Sequence, residues 1–384
     1  MRHALNGRNA GIDLLRGLSI LLVVTHHISL RIPFGQTLLG QHLPDFLVRL
    51  FSFDGGDAVV MFFVISGFLI TRRCAEQFGS LKEIDWRAFY IHRAGRIMPC
   101  LLALLAVSSF LAFYGPEVFH FWRPDQSVGG AVASVLTFSF NWYEGRTGWA
   151  PANWDVLWSL SIEEAFYFAF PLLCIIGPWP RCLLLLLLVL IGPLDHHLLR
   201  HAAEIWQEKA YLPGFGAIAT GVLAAMLSWQ VRLNAKLARL SVLIGLTLAA
   251  IELFDNGFFW RRLNDWTVWA LSFGTAAMLL GFDMLGRNRQ PTAPRYGLGW
   301  LQQGGRLSYE IYLTHMFFVL PAVAIYQHLA NPPIWSGVLA YACVPPLCWY
   351  AAALLARVWS RPMARRIDGI IFTHQGTAKF KKAK

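Results

Sequence analysis

Residues 12–31 read IDLLRGLSILLVVTHHISLR, an apolar run long enough to cross a bilayer that nevertheless holds Asp13, Arg16, His26 and His27. Such a run leaves few folds open, because hydrocarbon offers backbone amides no partners and only helices or closed barrels satisfy them internally. In a helix the eleven-residue step from Arg16 to His27 covers about 16 Å of axis and about three turns. An arginine at one membrane face and an imidazole near mid-depth therefore share nearly one side. Ionisable groups aligned inside a membrane mark a functional site by default. Two plainer readings stand beside that one: Arg16 snorkels to the interface, and His27 ties two helices together.

The 384-residue chain is 56% hydrophobic and 14% charged, where a soluble protein of this size carries about a quarter charged residues. Several further segments approach span length with few charges, which predicts an all-α, polytopic transmembrane helical bundle. The spans use up the length, so the expectation is one membrane domain over residues 1–370 and a basic cytoplasmic tail at 371–384, with no appended soluble catalytic domain. The first run is not a convincing cleavable signal, since Arg16 interrupts it and no small-x-small site precedes Arg31. A net charge of +11 would suit nucleic acid, but the basic residues sit in short segments beside the spans and in the tail. That is the positive-inside pattern, and no nucleic-acid partner is expected. The six cysteines form no Cys-x-x-Cys pair, and nothing completes a ligand set around His26, His27 and His315, so no metal site is expected.

Basic loops set the orientation. Arg72, Arg73, Lys82, Arg87, Arg93 and Arg96 separate a second span at 57–70 from a third at about 97–114. Arg232, Lys236 and Arg239 follow a span at about 211–229, and Arg287, Arg289, Arg295 and Arg306 lie between spans at about 265–285 and 308–328. Arg361, Arg365 and Arg366 follow the last span at about 335–357. All should be cytoplasmic, which places both termini inside and makes the number of spans even. Eleven apolar segments can be counted, and the weakest, GGAVASVLTFSFNW at residues 129–142, is too short to cross at about 14 residues. A re-entrant segment there, on the outer face, leaves about 10 spans, and partial insertions of that kind are tolerated where they line a protein cavity. The loop ending in WDVLWSLSIEE then falls at the outer mouth of the next span.

Three further motifs put charge where a plain bundle would not. In HRAGRIMP, residues 92–99, Arg93 and Arg96 are three apart and share a helix face at the inner boundary. Two guanidinium forks on one face suit the phosphates of a nucleotide cofactor, although they could equally anchor topology. WSLSIEEAFY, residues 158–167, opens a span with adjacent Glu163 and Glu164. Neighbouring residues point about 100° apart, so only one of the two should face a given cavity, where it would accept from a hydroxyl-rich ligand. LSYEIYLTHM, residues 307–316, carries His315, either as a second cavity imidazole or as a hydrogen bond between helices. The block GGDAVVMFFVISGFLI contributes shape through Ser66, Gly67, Phe62 and Phe63, and its Asp57 reads as a helix cap or as a hydrogen-bonding group for an acceptor.

Together these pieces resemble the acyltransferase-3 family of integral membrane acyltransferases, which modify bacterial surface polysaccharides, lipid-linked sugars and some small molecules. The likeness runs through Arg16 and His27, the GGDAVVMFFVISGFLI block, Arg93-x-x-Arg96 with Pro99, WSLSIEEAFYFAFPLL, and LSYEIYLTH, in the family's order. Departures are small: serine-isoleucine-glutamate-glutamate stands where valine is usual at the second position, and Thr314 precedes His315 where an aromatic is common. The resemblance implies a multi-pass protein of a bacterial inner membrane, surrounded by membrane lipid. It also implies that an acyl group, acetyl in the first instance, passes from cytoplasmic acyl-CoA, a co-substrate and not a bound cofactor, to a hydroxyl of a carbohydrate or glycolipid acceptor. On that reading Arg93 and Arg96 hold donor phosphates and His27 is the general base, with an acyl-histidine left open. Arg16 orients His27, binds phosphate or offsets oxyanion charge. Glu163 or Glu164 binds acceptor hydroxyls near the outer mouth, with Asp57 and His315 as further substrate contacts. Any hand-off to an extracytoplasmic transferase would need a separate protein. The competing class is a non-catalytic transporter or flippase of lipid-linked sugars, against which the lack of an inverted repeat in the hydropathy counts.

Overall fold

A computed structural model describes residues 8–52, 55–199, 201–254, 267–292, 297–329 and 334–367. The expected tail at 371–384, Arg2 and Arg295 lie outside the described residues. Among those described, the chain is helical and contains no strand. The helices that frame the site are α1 (Ala10–Ser29), α2 (Asp45–Ser52), α3 (Gly55–Phe78) and α4 (Trp86–Tyr114). They are followed by α5 (Val128–Leu136), α6 (Phe140–Thr147), α7 (Ala152–Asp155), α8 (Leu157–Ile175), α9 (Pro178–Leu199), α10 (Glu204–Glu208) and α11 (Tyr211–Gln230). The remainder are α12 (Ala235–Leu253), α13 (Thr267–Arg287), α14 (Gly299–Arg306), α15 (Ser308–Thr314), α16 (Met316–Gln327) and α17 (Ile334–Leu355).

Among the described residues seven helices are long and apolar enough to cross a membrane, and eight if α15 and α16, bent by 44° at His315, form one broken span. Two more have the length: α9 with 22 residues and α12 with 19, the latter carrying Lys236, Arg239 and Glu252 towards its ends. Residues 129–142 form no crossing. They fold into the nine-residue α5 and the start of α6, joined by a turn in which Phe138 takes a φ of 58°. Tyr211 donates to the Phe138 carbonyl and so anchors that turn to the start of α11.

Local chemistry explains the helix starts near the site. The Asn9 side chain accepts from the amides of Gly11 and Ile12 and caps α1, and Asp85 does the same for Arg87 and Ala88 at the start of α4. The sequence reading places HRAGRIMP ahead of the third span, yet α4 is one 29-residue helix containing both, with Pro99 inside it. Neighbours meet the carbonyls around the proline: Tyr309 donates to Ile97 and Trp359 to Pro99. Glycines bring α3 and α11 into backbone contact, Gly67 against the carbonyl of Ile218 and Gly221 against that of Val64, where any side chain would collide.

Candidate active site

Helices α1, α3, α4, α8 and α15 enclose a cavity whose lining can be read by depth along each helix. At one end lie Arg16, Arg73, Arg96 and Ser308; in the middle are Ser66, Arg93 and Glu163; at the other end are Val59, Phe62, Ser159 and Tyr312. A second cavity joins the first at the arginine-rich end, sharing Arg16, Leu69, Arg73, Arg96 and Tyr309, and adds Arg8, Arg72, Arg306 and Arg361 to its walls. We call this the basic end.

The arginines divide into two groups. Arg72 and Arg287 are both neutralised by the buried Asp283, Arg306 pairs with Asp13 at 2.9 Å, and Arg93 lies 2.7 Å from Glu164 and 3.4 Å from Glu163. Arg16, Arg73 and Arg96 make no such pair among the described residues; Arg16 donates only to the Ser308 hydroxyl, at 2.7 Å. All three line both cavities, close enough to repel one another, and none is paired with the carboxylates Asp13, Glu76 and Glu310 that also line the second cavity. That concentration of uncompensated charge is the feature an anionic ligand would relieve.

Two expectations about this end need correction. Arg93 and Arg96 do share a face and line the same cavity, but Arg93 is occupied by the acidic doublet and its guanidinium lies 3.2 Å from the centroid of Tyr167. Glu163 and Glu164 also both face the cavity, because the planar fork of Arg93 reaches across the angle between them. The doublet is therefore level with Arg93 and not at the opposite mouth. Glu163 is bonded further: it accepts from Tyr167 at 2.7 Å and from Ser66. Ser66, read from sequence for its small size, thus belongs to a polar chain of Arg93, Glu163, Tyr167 and Ser66. The four-residue step from Glu163 to Tyr167 is its one local sequence signal.

Beyond the other end of the cavity lie the histidines. His26 is fixed, its Nδ1 lying 3.0 Å from the carbonyl of Ser52. His27 is half-buried, and its Nδ1 has no partner. Its ring stands 5.1 Å from that of His315, which is fully buried at the bend between α15 and α16. His315 Nδ1 donates to the carbonyl of Tyr312 at 2.7 Å, which leaves its buried Nε2 as a lone-pair acceptor without a partner. The hydrogen bond expected of His315 between helices is instead made within its own helix. Neither cavity at the basic end is lined by His27, and Arg16, bonded to Ser308, does not orient it by contact.

At this far end a second ionic group sits outside the cavity. Lys209 is buried against Glu144 at 2.7 Å, against Asp155, and over the ring of Trp149 at 4.2 Å. Burial and the neighbouring Asp155 push the Glu144 carboxyl well above the usual range, and Lys209 opposes them. This cluster ties α6 and α7 to the start of α11; sequence reasoning missed it because its members are 54 and 65 residues apart. Asp57, read preferentially as a cap, lies in the first turn of α3, which begins at Gly55, and so is inside the helix.

The profile of the acyltransferase domain that defines the acyltransferase-3 family matches residues 9–353. The chain belongs to this family. It is similar to the putative peptidoglycan O-acetyltransferase YrhL of Bacillus subtilis, with 28% identity over 44% of this chain and 24% of that one. The peptidoglycan O-acetyltransferase OatA of Listeria monocytogenes is 29% identical over 53% of this chain and 29% of its own. The O-acetyltransferase OatA of Staphylococcus aureus is 30% identical over 42% and 24%. The aligned segments thus span less than a third of these curated relatives. No solved structure matches the chain.

Proposed function

We propose that this member of the acyltransferase-3 family transfers an acyl group, acetyl in the first instance, from acyl-coenzyme A to a hydroxyl of a carbohydrate acceptor. The observation that carries the reading is the set of unpaired cations, Arg16, Arg73 and Arg96, at one end of a cavity whose other end is lined by Tyr312, 5.9 Å from the ring of His315, itself 5.1 Å from that of His27. The phosphates of the donor seat among those arginines, with the basic end facing the cytoplasm as the positive-inside rule requires. The relatives named as peptidoglycan O-acetyltransferases support a carbohydrate hydroxyl as acceptor.

His27 is the general base in this reading. Its neutral ring takes the proton of the acceptor hydroxyl as that oxygen attacks the thioester carbonyl; the carbon–sulfur bond breaks, and the imidazolium returns the proton to the departing thiolate. His315, with its Nδ1 proton committed to Tyr312, presents only an acceptor Nε2 beside His27; the hydroxyl has one proton and gives it to His27, so the group His315 can accept from is the N–H of the neutral His27 ring. The Arg93, Glu163 and Tyr167 group holds the middle of the cavity, and Glu163, with 27% of its side chain exposed against 6% for Glu164, is the carboxylate that meets a ligand. Transfer of radiolabel from acetyl-CoA into membrane glycan by purified, reconstituted protein tests the proposal. A protein that moves lipid-linked sugar but neither hydrolyses nor transfers from acetyl-CoA would be a flippase instead.

A further inference from the structure

Tyr312 lines the cavity and stands next to the imidazole pair. Its hydroxyl donates to the carbonyl of Val156 at 2.8 Å and lies 2.6 Å from the hydroxyl of Ser159. With one proton to give, Tyr312 donates to Val156 and accepts from Ser159. Both partners belong to the junction of α7 and α8, so the ring is a crossbar from α15 to the helix opposite. Tyr312 and Ser159 line the cavity, and on its other side the Tyr312 ring stands 5.9 Å from His315, whose ring is 5.1 Å from His27. A tyrosine held at its tip by two hydrogen bonds is a fixed wall and not a swinging side chain.

We infer that Tyr312, tethered by Ser159 and Val156, determines which acyl groups this protein accepts, admitting short chains and rejecting long ones. The inference rests on the donor reading above. With the phosphates of the donor among Arg16, Arg73 and Arg96, the acyl end points along the cavity towards Tyr312. The thioester reaches His27 only past this ring, and each methylene beyond the carbonyl must share the passage with it. Val59 and Phe62 line the same end from α3, but neither is tied across to α8 by a hydrogen bond. Tyr312 is thus a specificity-determining residue, and its role differs from that of His27.

The test uses full-length protein in native membranes, which supply the acceptor, with radiolabelled acetyl-, butyryl- and hexanoyl-CoA as donors and glycan-bound label as readout. The quantity compared is the ratio of hexanoyl to acetyl transfer, because loss of folded protein lowers both equally and leaves the ratio unmoved. Tyr312→Ala should raise that ratio about tenfold or more, the scale on which apolar pockets discriminate by chain size. Tyr312→Phe, which keeps the helices packed but cuts both hydrogen bonds of the tether, and Ser159→Ala, which cuts one, should raise it by less. Should Tyr312→Ala fail to insert, those two variants decide the matter. Acetyl transfer with an unchanged chain-length profile in the variants overturns the inference and leaves the function standing. Wild-type protein that transfers no acyl group from any of the three donors overturns both.

Discussion

At the scale of single residues, adjacent positions of like chemistry have been given different tasks by what lies across from them. His26 spends its Nδ1 on the Ser52 carbonyl, whereas His27 keeps a buried nitrogen without a partner beside His315. Replacing His27 by Ala should lower acyl transfer by about 10²–10⁴, the usual contribution of a positioned acid or base, while membrane levels of the protein stay unchanged. The arginines separate in the same way. Removing Arg73 or Arg96 should raise the donor KM about tenfold to a hundredfold, as loss of a hydrogen bond to a charged group does. Removing Arg93 strands two carboxylates, and its first effect should be a lower melting temperature in detergent. The eleven-residue spacing made it legible that Arg16 and His27 share one helix, as they do in α1. The division between Arg93 and Arg96 was not legible, since the carboxylates that occupy Arg93 lie 70 and 71 residues along the chain.

At the scale of elements, hydropathy located the spans but misplaced where they begin. A proline usually argues for a boundary, yet α4 runs through Pro99, packed there against Tyr309 and Trp359 from distant parts of the chain, which donate to the carbonyls of Ile97 and Pro99. The short pair α5 and α6 was legible because length alone forbids a crossing by residues 129–142. What holds that pair down was hidden: Lys209 reaches Glu144 in α6 and Asp155 in α7 with almost no solvent contact of its own. Lys209→Met would leave both carboxylates without their cation and should cost about 3–5 kcal/mol of stability. Thermal unfolding in detergent measures this, and adding Glu144→Gln to the same chain should recover part of the loss.

Across the whole molecule, uncompensated positive charge gathers at one end of the bundle and the Lys209 cluster at the other. If the first end faces the cytoplasm, an impermeant thiol reagent applied to intact cells should label a cysteine placed at Gln36 and spare one placed at Glu83, in a background without native cysteines. Labelling in the reverse order would put the donor site on the wrong side for cytoplasmic coenzyme A. Both positions are exposed and follow helix ends at opposite faces. Charge patterning made the polarity of the bundle readable, whereas the meeting of five helices around one cavity depended on contacts between residues as far apart as Arg16 and Ser308.

The glycine contacts between α3 and α11 carry a consequence for how such a protein can change. Backbones that touch at Gly67 and Gly221 have no side chains left to repack, so the flank bearing Ser66 and Arg73 is stiff. The facing flank is made of helices interrupted by Pro99 in α4, by the 44° bend at His315, and by Pro345 and Pro346 in α17. Lineages that acquire a bulkier acceptor should therefore accumulate their substitutions on the proline-bearing flank and leave the glycine seam untouched.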